Sequence, residues 1–386
     1  MTLSVRGRCL PDGVERTVFI DGDRITFDSV PGAELVHDGG WIVPALVDVH
    51  THPGAHEPGD PMDDVVLFDD LAAHVAAGVA VIRTPGIASG VIPPWAVTHE
   101  DLPRIVGAGH WLASADGFFD GWGRHLEPDE LPGAAVEEAT RSGGWCKVIV
   151  DWVNGEGADR RYEPSVPADV VVDIVHAVHD VGGRVAVHSQ HPDGAEAAVV
   201  AGADSLEHGM HLRHELLERM AAQGTVLVPT MTAFEQGAAE LSALDQPTWL
   251  SRYMTRGCEL HPRLVRSAFE AGVTVLAGTD STPHGNVANE VRLLADAGLP
   301  NTAAIAAASW TARSFLGLTS LQEGAPADLV IYDTDPTVDI AVIAHPVGII
   351  TKGRARSPRP HEPRSRRLTG NASPASPETS RHSPAT

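Results

Sequence analysis

Cysteine is scarce and scattered, with only Cys9, Cys146 and Cys258 among 386 residues. An odd number at wide spacing writes no disulfide framework and no CxxC metal site. Long hydrophobic runs are missing too. Although 43% of the residues are hydrophobic, no stretch is long enough to cross a bilayer. The opening Met1-Thr2-Leu3-Ser4-Val5-Arg6-Gly7-Arg8 lacks the apolar segment and small-residue cleavage site of a secretion signal, so a cytoplasmic protein is expected. Positive charge is in short supply: 28 Lys and Arg face 51 Asp and Glu, a net charge of −23. That balance argues against nucleic acid or an anionic membrane as a partner. A small-molecule substrate remains, and a homo-oligomer is compatible with the composition.

What the chain does contain is four short strings in a fixed order. They are Val47-Asp48-Val49-His50-Thr51-His52, Val185-Ala186-Val187-His188, Leu206-Glu207-His208-Gly209 and Ala277-Gly278-Thr279-Asp280. Each closes a short apolar run. Buried parallel strands read as such runs, and in a barrel their C-terminal ends carry the chemistry. Imidazoles plus a late carboxylate are donor types that zinc and similar divalent ions take.

The rest of the chain fits that architecture. Strands are expected at 45–52, 79–85, 104–113, 146–151, 184–189, 205–208, 225–230 and 274–280. Helical patterns lie between them at 65–77, 133–141, 168–181, 193–201, 214–223 and 262–271. Several end on a glycine before the next strand, at Gly78, Gly182 and Gly272, as helix C-termini do. Eight βα units in about 250 residues is the size of a (β/α)8 TIM barrel. The expected fold is therefore α/β, with the barrel at 45–322. The flanks 1–44 and 323–353 carry short strand-like runs, and Asp21-Gly22 between alternating residues predicts a hairpin. Neither flank holds a core alone, so one small β-sandwich built from both chain ends is expected. The segment 354–386 is rich in Pro, Ser and Arg, with seven Arg against two Glu, and is expected to be a disordered tail.

The spacing assigns directions. His50 and His52 alternate, so both face one side of their strand while Thr51 points into the helix layer. His188 and His208 close the fifth and sixth strands. Each histidine alone has a simpler fate as a hydrogen-bonded residue at a strand end; together they read as ligands. Asp280 is able to cap the following helix. It is equally able to bind a metal, hold a water in line and carry a proton to a leaving amine. Lys147, in Trp145-Cys146-Lys147-Val148-Ile149-Val150, lies early in its strand. As an ammonium it would be repelled by a cation and would act only through its field or point away. As a carbamate formed from carbon dioxide it would offer two oxygens able to bridge two ions.

In this order the residues resemble the amidohydrolase superfamily. The matching features are an HxH after strand one, a lysine on strand four, histidines after strands five and six, and an aspartate after strand eight. Gly39-Gly40-Trp41-Ile42-Val43-Pro44 resembles that family's entry into the first strand. Gly324-Ala325-Pro326-Ala327-Asp328-Leu329 resembles its return to the flanking sheet, so the similarity spans about residues 5–352. Lys147-Val148-Ile149-Val150, Glu207-His208-Gly209, and His284-Gly285 with Asn289-Glu290 resemble the imidazolonepropionase-like and prolidase-like branch. Members of that branch hydrolyse amide or imide C–N bonds of small molecules. The resemblance implies one or two divalent ions, zinc or a similar metal. His50, His52 and Asp280 would hold the first and His188 and His208 the second. Lys147, carboxylated, would bridge them, and Asp280 would be the proton shuttle. The run Phe118 to His125 resembles a loop that presents a histidine to substrate, which makes His125 a candidate substrate-binding residue. Two other readings stand. One is a mononuclear deaminase or imidazolone-type cyclic amide hydrolase in which Lys147 is no ligand. The other is a catalytically silent metal-binding barrel.

Overall fold

The computed structural model describes residues 2–242 and 248–356. The expected tail beyond Arg356 lies outside the described residues. Both chain ends build one seven-stranded sheet. Its order is Arg354–Arg356, Gly348–Thr351, Leu329–Tyr332, Glu34–Pro44, Leu3–Cys9, Val14–Asp21 and Arg24–Thr26. Leu329 pairs with Pro44, so the returning C-terminal segment is stitched to the strand that leads into the rest of the chain. The expected hairpin is present: Asp21 pairs with Arg24 across a Gly22-Asp23 turn in which Gly22 has φ +62°. Val5, Val18, Ile20, Ile42, Leu329 and Ile350 pack together on this sheet. Arg354–Arg356, expected at the head of the tail, instead forms its edge strand.

The central part is parallel. One run of strands is Val226–Val228, Ser205–His208, Arg184–Ser189, Trp145–Ile149, Trp111–Ser114 and Arg124–Leu126; a second is Leu46–Asp48, Val79–Thr84 and Arg104–Gly107. Every residue of Val79–Thr84, Trp145–Ile149 and Ser205–His208 is buried, as expected of strands covered on both faces. The single strand expected at 104–113 is divided at Ala108-Gly109-His110, where Gly109 takes φ +73°. The stretch 274–280 has one bridge, Val275 to Leu227. It nevertheless lies between the two runs. Leu227 N donates to Thr274 O, Val49 N to Ala277 O, and Asp280 N to His50 O.

Helices Asp64–Ala76, Leu131–Ser142, Ala168–Asp180, Pro192–Ala201 and Leu217–Gln223 connect the strands near their expected places. The helix expected at 262–271 is much longer than that: it runs Trp249–Glu270 straight through Pro262, and Val287–Asp296, Asn301–Ala307 and Trp310–Phe315 follow it. Ser251, Gly257, His261, Leu264, Val265 and Ala268 are buried along it, and this packing offsets the cost of a proline in mid-helix. A further hairpin, Asp151–Asn154 with Arg161–Pro164, projects beyond the Trp145–Ile149 strand.

Candidate active site

The strand ends bring most of the expected residues together. His50 and His52 follow Leu46–Asp48, and Lys147 sits mid-strand in Trp145–Ile149. His188 pairs in register with Ile149 on one side and Glu207 on the other, and His208 pairs with Ser189. Among the described residues, His50, His208 and Asp280 form a group able to hold a metal ion, with donor atoms all within 4.8 Å of one another. The His188 and His208 rings lie 4.5 Å apart, and those of His50 and His208 5.1 Å. Asp280 approaches His52 Nε2 to 3.5 Å, and His50 Nε2 and His208 Nδ1 to 3.8 Å each.

Hydrogen bonds fix which nitrogen two of the rings offer. His50 Nδ1 donates to Glu207 Oε2 at 2.6 Å, and His52 Nδ1 donates to the Gly86 carbonyl at 2.9 Å. In the neutral rings both Nε2 atoms are then acceptors, yet they face each other at 3.1 Å. Two lone pairs at that distance repel unless a positive charge lies between them. Two nitrogens bound to one zinc at about 2.0–2.1 Å in a tetrahedron stand about 3.3 Å apart, so the pair fits a shared cation. Lys147 Nζ and His188 Nε2 are also buried and have no hydrogen-bond partner. Leaving such an atom unpaired costs about 1–3 kcal/mol, a cost that an ion or a bound group would remove.

The electrostatics agree. Burial and then the Lys147 charge hold His50, His52 and His188 below the ordinary histidine value, His52 down to about 3. Burial, the neighbouring His188 and His50, and Lys147 do the same to His208. Neutral imidazole is the form that binds metal. Burial pulls Lys147 down to about 8 against the opposing pull of Glu207 and Asp280, which raises the fraction of neutral amine. Asp280 keeps 28% of its side chain exposed. Enclosure by protein, with Glu207 and Asp48 close by, still raises it to about 7 while Lys147 opposes the shift.

Glu207 is the residue that sequence reasoning left without a role. Its side chain is fully buried, and Oε1 accepts from Arg83 Nη2 at 2.6 Å while Oε2 accepts from His50 Nδ1. Arg83 is equally buried and donates from Nε to Val49 O at 2.6 Å. Burial favours the acid form of Glu207, but Arg83, Lys147 and hydrogen bonds hold it below the ordinary value. Strand alternation puts neighbours on opposite faces, so Glu207 beside His50 would turn His208 away. A φ of +67° at His208 breaks the alternation. Thr230 and Asp280 also take positive φ, +47° and +45°. Each such non-glycine residue costs of order 1–3 kcal/mol, and such strain clusters at functional sites.

Other parts bring the pieces close. A Cβ on Gly278 would stand 2.5 Å from His50 Cβ, so only glycine lets the Asp280 N–H reach His50 O at 2.8 Å. Thr51 does point into the helix layer, where its Oγ1 meets His284 Nδ1 at 2.9 Å and His74 Nε2 at 3.3 Å. His125 is exposed on Arg124–Leu126, and its Nε2 donates to the Trp122 carbonyl.

A strand-end cluster of histidines and one carboxylate, set in an α/β fold, is of the kind that metal-dependent enzymes use to hold a divalent ion. Comparison with known families matches residues 137–356 to the Amidohydrolase family. An uncharacterized protein of Mycobacterium tuberculosis is 36% identical over 363 residues, 92% of this chain and 96% of that protein. Ochratoxinase of Aspergillus niger is 31% identical over 172 residues, 43% of this chain and 35% of that enzyme. Among solved structures, a Xaa-Pro dipeptidase with bound methionine superposes with a TM-score of 0.77 at 23% identity, covering 92% of this chain and all of the other. The chain belongs to the amidohydrolase family.

Proposed function

We propose that this protein is a metal-dependent hydrolase that cleaves an amide-type C–N bond of a small molecule. The observation that carries the proposal is the pair of acceptor nitrogens, His50 Nε2 and His52 Nε2, facing each other at 3.1 Å beside Asp280. We read the parallel strands, joined through 274–280, as a closed eight-stranded barrel, and the seven-stranded sheet as the β-sandwich appended to it. On this reading His50, His52 and Asp280 would hold one divalent ion, zinc or similar. His188 and His208 would hold a second, with Lys147, if carboxylated, as a shared donor. The partnerless Lys147 Nζ and His188 Nε2 support the second position.

A bound divalent ion supplies a lowered water pKa and polarisation of the substrate carbonyl. The chain supplies the rest. Glu207 and the Gly86 carbonyl hold the His50 and His52 rings with Nε2 inward. Asp280 accepts the proton of the attacking water and gives it to the departing nitrogen, which is a poor leaving group until protonated. The relatives' names fit this class: one similar structure is a Xaa-Pro dipeptidase and one relative is an ochratoxinase. The test is Asp280→Asn on any amide the wild type hydrolyses. At least about a hundredfold loss of kcat is expected, the low end for acid–base catalysis, with zinc still bound. Near-normal kcat would remove Asp280 from this role.

A further inference from the structure

We infer that the substrate carries a flat, uncharged aromatic ring beside the bond that is broken, and that a wall of five rings receives it. This inference rests on the hydrolase reading above. The wall consists of Trp111, Phe118, Phe119, Trp122 and Trp152. It begins at one side of the histidine cluster, where Trp111 lies 5.1 Å from the His52 ring, and ends at the other, where Trp152 lies 5.4 Å from His188. Trp111 stacks on Trp122 at 4.7 Å and 8°. Phe118 bridges Trp111 at 5.4 Å and Trp152 at 4.9 Å.

Three further observations point to a ligand and not to core packing alone. Exposure is graded: Trp111 is 2% exposed, Trp122 is 7% and the outermost ring, Phe119, is 38%. Phe119 turns toward Phe118, Trp122 and Trp152 in T-shaped contacts at 5.1, 5.8 and 4.9 Å. It extends the apolar surface outward while remaining partly open to solvent, so the wall leads from solvent to the histidines. The rings are also held in place from behind. Trp122 Nε1 donates to Asp60 O at 2.6 Å. The Trp111 indole lies so close to Gly86 that a Cβ there would stand 2.4 Å from it, and the Gly86 carbonyl is the one that orients His52. Finally, aromatic residues are only 5% of the chain, with eight Trp and eight Phe in all, yet three Trp and two Phe gather at this edge of the site. Ring faces of this kind favour another ring in stacked or edge contact, and an anionic group against them would lose water without gaining a counter-charge.

The experiment uses ligands that cannot be hydrolysed and carry the ring on either side of the broken bond: benzoate matched with acetate, and benzylamine matched with methylamine. Dissociation constants are measured for the purified full-length protein by calorimetry. The ring compound of at least one pair is expected to bind about tenfold more tightly. Phe119→Ala and Trp152→Leu should each cut that preference to about threefold or less, with metal content unchanged. Equal binding within both pairs, or a preference that survives both substitutions, would overturn the inference. Hydrolysis of aryl and alkyl amides is assayed separately. A ring preference with no amide hydrolysed would sink the proposed function and leave the wall standing; hydrolysis without ring preference would do the reverse.

Discussion

Replacing Glu207 with glutamine removes one charge from a fully buried pair and leaves Arg83 in place. Both side chains are 0% exposed, so Arg83 keeps a guanidinium that water cannot reach. Breaking such a pair by neutralising one partner costs about 3–5 kcal/mol. The same change weakens the hold on His50 Nδ1, now 2.6 Å from a carboxylate oxygen. Loss of such a supporting partner lowers metal affinity about 10–100-fold. Two assays read the two effects: urea unfolding, and zinc affinity by competition with a chelator. Glu207→Gln should shift both. Adding Arg83→Met to Glu207→Gln should restore part of the stability, since no buried charge is then stranded, and none of the zinc affinity. A Glu207→Gln protein within about 1 kcal/mol of wild type and with unchanged zinc affinity would refute the reasoning.

Other consequences follow from single residues. Glu138 is buried and accepts from His110 N, from Arg124 Nη1 at 3.0 Å, and from Arg141. Burial alone would raise its pKa, but these partners hold it below its ordinary 4.5. Its contribution is therefore present above that value and is lost as pH falls through the lowered one. Glu138→Gln should cost about 1–3 kcal/mol at pH 7, and the difference from wild type should shrink in unfolding curves taken progressively below pH 4.5. Gly278→Ala places a Cβ 2.5 Å from that of His50; overpacking of this kind costs about 1–3 kcal/mol, and bound zinc should fall with it. Lys147→Ala should lower zinc from about two to about one per chain on the binuclear reading, and metal-free wild type should regain activity faster with bicarbonate plus zinc than with zinc alone. Two ions and full activity in Lys147→Ala would exclude the bridge.

Much of the fold was legible because its signals are local. Ser205–His208 and Arg184–Ser189 begin and end where their apolar runs do, and helix boundaries fall beside the expected glycines. The misplaced features depend on tertiary contacts. Pro262 reads as a helix start, yet packing of Leu264, Val265 and His261 carries the helix through it. The 274–280 segment has a strand's apolar content but only one bridge, because it joins its neighbours through individual hydrogen bonds from Leu227, Val49 and Asp280. In the site, His50 and His52 do meet, Nε2 to Nε2 at 3.1 Å, although the strand expected to carry them ends at Asp48 and both lie beyond it. Period-two alternation hid Glu207: it allows only one of Glu207 and His208 to face inward, and the positive φ of His208 is invisible in composition or spacing. The aromatic wall was equally hidden, since Trp152 comes from the Asp151–Asn154 hairpin, thirty residues beyond Trp122, and joins the other rings through Phe118 and Phe119.

The central claim is that the histidine cluster holds catalytic metal, and elemental analysis of the purified chain beside His50→Ala tests it most directly. After growth in zinc-supplemented medium, wild type is expected to carry at least one divalent ion per chain and to approach about two if Lys147 bridges. His50→Ala, which removes a nitrogen 3.1 Å from His52 Nε2 and 3.8 Å from Asp280, should lose most of the first. Only trace metal in the wild type, or an unchanged amount in His50→Ala, would contradict the account.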